Sequence, residues 1–214
     1  MLSDYAAIKN GSYGKLMKAY YAKQDAEKLS GKGDTSQKLT LMKTSADSLQ
    51  KSADALNDSS LWEKKKIKKK DEKTGEEIEV EDYDWDKITK AVKSFVEDYN
   101  DVVKEAGESN TKDVLRNASW MTGMTDKNSN MLAKIGITIG KGNKLELDED
   151  ALKQADISSL KTVFTGYNSF VSKISQKATG ISNAANRASA TYTNNGTYSK
   201  TDSSLTSSKI DKEV

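Results

Sequence analysis

Ile135-Gly136-Ile137-Thr138-Ile139-Gly140-Lys141-Gly142-Asn143-Lys144-Leu145-Glu146-Leu147-Asp148 is the stretch on which the fold turns. Two short β-prone runs, 135–139 and 144–147, flank a turn bearing glycines, the pattern of a small hairpin. Asp148 then stands where a helix N-cap belongs, and Glu149 and Asp150 suit a first helical turn, so a short helix to about 155 is expected behind it. No residue in the stretch is suited to catalysis. Gly136 and Gly140 with Lys141 resemble a phosphate-binding loop only superficially. That loop needs four residues between its glycines and a Ser or Thr after the lysine, whereas here there are three, and Gly142 follows.

Outward from the hairpin the chain is helical. Trp85, Ile88, Val92, Phe95, Val96, Tyr99, Val102, Val103 and Ala106 fall on one stripe of a helix predicted over 84–106. Burying each larger member is worth roughly 1.5 to 3 kcal/mol, so this stripe is a principal source of stability, with Phe95 and Tyr99 serving the internal fold. Val114, Leu115, Ala118 and Met121 predict a helix over 110–125. Behind the hairpin, Leu160, Val163, Phe164, Tyr167, Phe170, Val171, Ile174, Ala178, Ile181, Ala185 and Ala188 keep helical spacing, which predicts one long helix over 157–189 in spite of Gly166 and Gly180. Nearer the start, helices are predicted over 12–29 and 36–56. Asp34, Thr35 or Ser36 caps the second, whose Leu39, Met42, Ala46, Leu49, Ala53 and Leu56 are spaced 3, 4, 3, 4, 3 as in a heptad seam.

Between these helices the character changes. Lys64, Lys65, Lys66, Lys68, Lys69 and Lys70 surround Ile67, a Lys73-Thr74-Gly75 turn follows, and Ile78 and Val80 alternate with Glu77, Glu79 and Glu81. Period-two alternation around a glycine turn predicts a second hairpin near 62–82. Residues 64–86 hold seven lysines against nine acids, so the lysine run is explained by cross-strand Lys and Glu pairing on a solvated ribbon rather than by a polyanion site.

Composition narrows the function classes. Apolar residues make up 35% and charged residues 31%, and proline is absent. Long helices with narrow apolar stripes suit that balance better than a layered enzyme fold. Histidine and cysteine are both missing, which removes the usual zinc ligands, thiol nucleophiles, disulfides and imidazole bases. The acids Asp148, Glu149, Asp150 and Asp156 lack the spacing and internal glycine of a calcium loop, and capping accounts for most of them. No pair of carboxylates is grouped with an aromatic platform for sugar chemistry. Net charge is +2, giving no strong field for nucleic acid, and no run of about 18 apolar residues offers a membrane span. The beginning has neither the basic n-region nor the apolar core of a Sec-type signal; export machines that read an unfolded N-terminus need neither, so the compartment stays open.

Three segments between Asp86 and Phe170 carry a family likeness. In Ile88 to Val103 an apolar stripe leads into Phe95, Val96, Tyr99 and Asn100. Leu132 to Ile139 and Asn143 to Leu152 hold Gly136-Ile137-Thr138 and Lys144-Leu145, then Leu147-Asp148. Leu160 to Gly166 contains Val163-Phe164. In their order and spacing these segments resemble the C-terminal region of bacterial flagellar filament cap proteins, also called hook-associated proteins. The resemblance implies a helical stalk and paired terminal helices through which several copies form a ring-like cap that guides flagellin subunits, without catalysis. Members of that family are usually longer, with bulky β domains between their helical arms where this chain has one charged hairpin.

The expected fold is therefore mainly α: an elongated antiparallel helical bundle or coiled coil with two small β-hairpins. Its expected parts are an N-terminal helical arm (1–60), a charged hairpin (61–83), a C-terminal helical region with the small hairpin (84–190) and a disordered tail (191–214). The expected function is that of a secreted, extracellular, filament cap-like structural protein of the bacterial flagellum, acting through helix–helix self-association or on flagellin-type partners. A cytoplasmic helical adaptor or chaperone-like module is the alternative, and a carboxylate-dependent enzyme on envelope sugars a third class. No catalytic residue, metal, cofactor, nucleic acid, membrane insertion or small-molecule substrate is expected. Ile174, Ala178, Ile181, Ala185 and Ala188 are expected to contact the partner, because the last helix carries more apolar stripe than so polar a chain readily covers.

Overall fold

The structure, a computed structural model, describes residues 33–70 and 77–190. The expected helix over 12–29, the turn at Lys73 to Gly75 and the tail from 191 lie outside the described residues. Within them are seven helices and two antiparallel two-stranded sheets, so the mainly helical fold with two hairpins is as the sequence predicts.

Helix α1 (Ser36–Asn57) begins at Thr35, whose hydroxyl accepts from the Lys38 N–H at 3.3 Å, and its buried residues are the six of the heptad seam. Past α1, Asp58 caps a 3₁₀ turn over Ser59–Trp62. The Trp62 indole donates to the Leu56 carbonyl at 2.8 Å and its ring stacks on Phe164 at 5.5 Å, closing that end of the core. Strands β1 (Lys65–Lys70) and β2 (Glu77–Asp82) form the charged ribbon, pairing Lys66 with Glu81, Ile67 with Val80 and Lys68 with Glu79. Lys64 and Lys161 both approach the Tyr83 ring, at 5.7 and 5.9 Å from its centroid, where the ribbon joins the body.

Helix α2 (Trp85–Glu108) is capped by Asp84, which accepts from the Lys87 N–H at 3.0 Å, and buries Ile88, Val92, Phe95, Val96, Tyr99, Val102, Val103 and Ala106. A short turn leads into α3 (Lys112–Lys127). Asp34, a candidate cap for α1, instead binds this turn: its carboxylate accepts from the Ser109 and Thr111 hydroxyls, both at 2.7 Å, and from the backbone N–H groups of Asn110 and Thr111, both at 2.9 Å. The residue before α1 thereby joins α1 to the far end of α2.

Between α3 and the last helix lies a small module: α4 (Ser129–Ala133), β3 (Ile137–Ile139), β4 (Leu145–Leu147), α5 (Glu149–Gln154) and α6 (Ile157–Phe164). The predicted hairpin is there, with Ile137 opposite Leu147 and Ile139 opposite Leu145. Gly136 opens it at φ 77, and its carbonyl accepts from the Asp148 N–H at 2.8 Å. A Cβ at that position would lie 2.6 Å from the Asp148 carbonyl oxygen, so the backbone conformation and the close approach both call for glycine. Asp148 caps α5 as expected, accepting from the N–H groups of Asp150 and Ala151 at 3.0 Å each. Asn100 of α2 docks the module: its amide donates to the Leu145 carbonyl at 2.9 Å and accepts from the Leu145 N–H at 2.7 Å, mimicking a neighbouring strand.

The single helix predicted over 157–189 is two helices, α6 and α7 (Phe170–Ser189), separated by Thr165 to Ser169. Gly166 sits at φ 96 in the break and donates its N–H to the Asn57 side-chain oxygen at 2.8 Å, while Ser169 caps α7 by accepting from the Ser172 N–H at 3.1 Å. Apolar spacing missed the break because Phe164 before it and Phe170 after it both enter the core.

Helix α7 runs antiparallel to α1, since Ser182 reaches Asp47 and Ser175 reaches Asp54. It is antiparallel to α3 as well, since Arg187 reaches Asp113 and Lys177 covers Trp120. With α2 packed on α1 and touching α3, these four helices surround one apolar core that also takes in Leu132, Ile135, Ile137 and Leu145 of the module. No helix among the described residues is long and apolar enough to cross a membrane.

Candidate functional site

Ile174, Ala178, Ile181 and Ala185 recur at spacings of four, three and four on α7, which places them on one face. That face is turned inward. All four are fully buried, and only Ala188, near the end of the helix, is half-exposed. The expectation of an uncovered stripe is therefore corrected: α1 on one side and α3 on the other cover it within the same chain. The three alanines are what allow α7 to sit between two helices at once, because small side chains let neighbouring helices approach closely.

The flanks of α7 are satisfied in the same way. Ser182 donates to Asp47 at 2.6 Å and Ser175 donates to Asp54 at 3.1 Å, both across to α1. Burial raises the Asp47 carboxyl, but hydrogen bonds from Lys43 and Ser182 and the nearby positive charge of Lys43 and Lys51 outweigh it and hold it below the usual carboxylate range. Toward α3, Arg187 pairs with Asp113 at 3.4 Å and the Lys177 ammonium lies 5.4 Å from the Trp120 ring centroid.

What the bundle leaves outside is a scatter of large apolar side chains rather than a stripe. Tyr167 is 82% exposed, Trp120 60%, Leu41 50% and Ile78 41%. Tyr167 belonged to the predicted stripe, and the break at Gly166 turns it to solvent. Leu41 lies off the 3,4 seam of α1, a signal already legible in the sequence. Phe95 and Tyr99, expected to serve the internal fold, are fully buried. The Tyr99 hydroxyl donates to Thr125 at 2.9 Å, and burial pushes its pKa well above the ordinary tyrosine value.

Two open hollows flank the start of α2, and both are lined by opposing charges. One brings Lys68 and Lys153 near Asp84 and Asp86; the other holds Lys90 and Lys93 near Glu149. Lys93 donates to Glu149 at 3.1 Å across the second. Of the acids grouped at 148–156, Asp148 and Asp156 are helix caps, and Asp156 is held low by the Ser158 hydroxyl and the Ser159 N–H. Among the described residues no three acidic side chains converge as a metal site.

Residues 109–213 match the family model for the C-terminus of flagellar hook-associated protein 2. Over that part, just under half of its length, the chain is similar to the flagellar cap protein family. The match begins where α2 ends and takes in α3, the hairpin module and α7, then continues past the described residues. Two of the three resembling segments, the hairpin with its cap and the Val163-Phe164 segment, fall inside it; the Phe95 to Asn100 segment precedes it. The match supports a structural, filament cap-type role in the flagellum, and that family is not known for catalysis. No curated protein and no solved structure matches the chain.

Proposed function

We propose that the chain is a filament cap-like structural subunit, exported to the flagellar tip, where it associates with copies of itself or with flagellin-type proteins. The observation that supports this most is the family match over 109–213, which spans the part of the bundle built from α3 to α7. In this reading Ile174, Ala178, Ile181 and Ala185 act one step back from the interface: they hold α7 between α1 and α3 and so set the shape of the outer surface. Ala188, at the half-exposed end of the stripe, contacts the partner directly, together with the exposed Leu41 and Trp120.

Sedimentation velocity of the purified chain over a concentration series, alone and with flagellin, tests the proposal. A mass that grows with concentration, or co-sedimentation with flagellin, is expected. A monomer at every concentration, with and without flagellin, overturns it.

A further inference from the structure

The charged ribbon has no second sheet neighbour on either side: among the described residues its sheet holds β1 and β2 alone. Each strand therefore keeps one edge of backbone N–H and C=O groups without a ladder partner, which is a template for another strand. The two edges carry opposite charge. Lys65, Lys66 and Lys68 are exposed on β1, and Glu77, Glu79 and Glu81 are exposed on β2.

That segregation selects among possible neighbours. Pairing β1 with β1, or β2 with β2, of a second copy sets like charges opposite one another, which is destabilising. Pairing β1 of one copy with β2 of the next sets lysines beside glutamates and continues the antiparallel order already present within the ribbon. Lysines on an edge ordinarily discourage strand addition, and here they discourage every strand except an acidic one. The register adds a second determinant. Ile67 stands opposite Val80 on one face, with Ile78 two positions along and 41% exposed, so an added ribbon extends an apolar row as well as a charged one. A polyanion fits less well, because residues 64–86 hold more acids than lysines.

We propose that β1 of one copy adds edge-to-edge to β2 of the next, making the ribbon a head-to-tail contact between copies of this chain. A contact of this kind uses two different surfaces of each subunit and so closes into a ring or continues as a helix rather than ending at a dimer. The inference rests on the self-association proposed above and names the surface that carries it.

Three forms of the full chain, compared by sedimentation velocity at low and high salt, test it. The wild type is expected to associate, and less so at high salt, where exposed charges are screened. K66E/K68E puts glutamates where an incoming acidic strand would meet β1 and is expected to weaken association by roughly tenfold or more, the scale of several cross-strand pairs turned repulsive. The exchanged chain K66E/K68E/E79K/E81K restores opposite charges at the pairs 66 with 81 and 68 with 79, so the ribbon itself is intact, and it is expected to associate again. If K66E/K68E associates like the wild type, the ribbon contact is overturned while self-association through other surfaces stands. Loss of association in the exchanged chain overturns it too, since complementarity is then not the cause. A wild type that never associates overturns this inference together with the self-association on which it rests.

Discussion

Replacing Asp34 by alanine removes the acceptor that holds the α2–α3 turn to the start of α1. The carboxylate takes two hydroxyl donors at 2.7 Å and two backbone donors at 2.9 Å, lies 3.8 Å from the Lys38 ammonium, and its side chain is 1% exposed. A hydrogen bond to a charged acceptor contributes about 1.5 to 3 kcal/mol. The four share one carboxylate and so are not independent, and the net loss amounts to about two bonds at the lower figure, about 3 kcal/mol. With an m-value of about 2 kcal/mol per molar, the urea midpoint should fall by about 1.5 M. Asp34→Asn is expected to rescue little, because its amide turns a donor toward groups that are themselves donors, although its volume is unchanged.

The pH dependence gives a second readout. Burial raises the Asp34 carboxyl, but the Ser109 and Thr111 hydroxyls and the N–H groups of Asn110 and Thr111 outweigh it, leaving the pKa below the ordinary aspartate value. A depressed folded pKa means that the stabilisation is complete above the unfolded pKa of about 3.9 and is lost as pH falls through the folded value. The gap between wild type and Asp34→Ala should therefore be full at pH 7 and close at strongly acid pH. A loss under about 1 kcal/mol at pH 7, or an Asn variant as stable as wild type, refutes the assignment.

Three further outcomes follow from the packing. Gly136→Ala, placed at φ 77 against the Asp148 carbonyl, should cost roughly 2 to 3 kcal/mol in thermal or urea unfolding. Ile181→Ala, at a fully buried position facing α1 and α3, should cost about 2 to 5 kcal/mol in urea unfolding of the monomer; a variant of wild-type stability would restore the open stripe that burial argues against. Asp98→Asn should raise the melting temperature at pH 7. Burial, with the nearby charges of Asp101 and Glu97, lifts the Asp98 carboxyl against its hydrogen bond with Ser52, so the folded chain holds that proton more tightly and loses stability as pH rises through the raised pKa. The same melting comparison at pH 3 should show no advantage for the amide.

Much of the fold was legible because its signals are local. The hairpin at 135–147 and the Asp148 cap depend on residues within a few positions of each other, and the buried faces of α1 and α2 repeat within single helices. Asp34 was legible only as a helix cap, since its actual partners are Ser109, Asn110 and Thr111, far along the chain. The break between α6 and α7 was hidden for a related reason. Gly166 is tolerated in a helix at modest cost, and what favours the turn is the Asn57 side chain arriving from the end of α1.

The candidate site divides along the same line. Apolar periodicity over 170–188 correctly marked a face that needs cover, because the spacing of side chains around a helix depends on that helix alone. What provides the cover is a question of distant chain segments, and only the tertiary structure answers it: α1 and α3, held in place by Asp34, Asn57 and the Ser182 to Asp47 bond, close over the face that the spacing left open. Sequence by itself determined where most of the described helices lie, though not the break between α6 and α7, and which of their sides are greasy. The assembled bundle decided which of those sides remain to meet another molecule, because burial is a property of all the elements together.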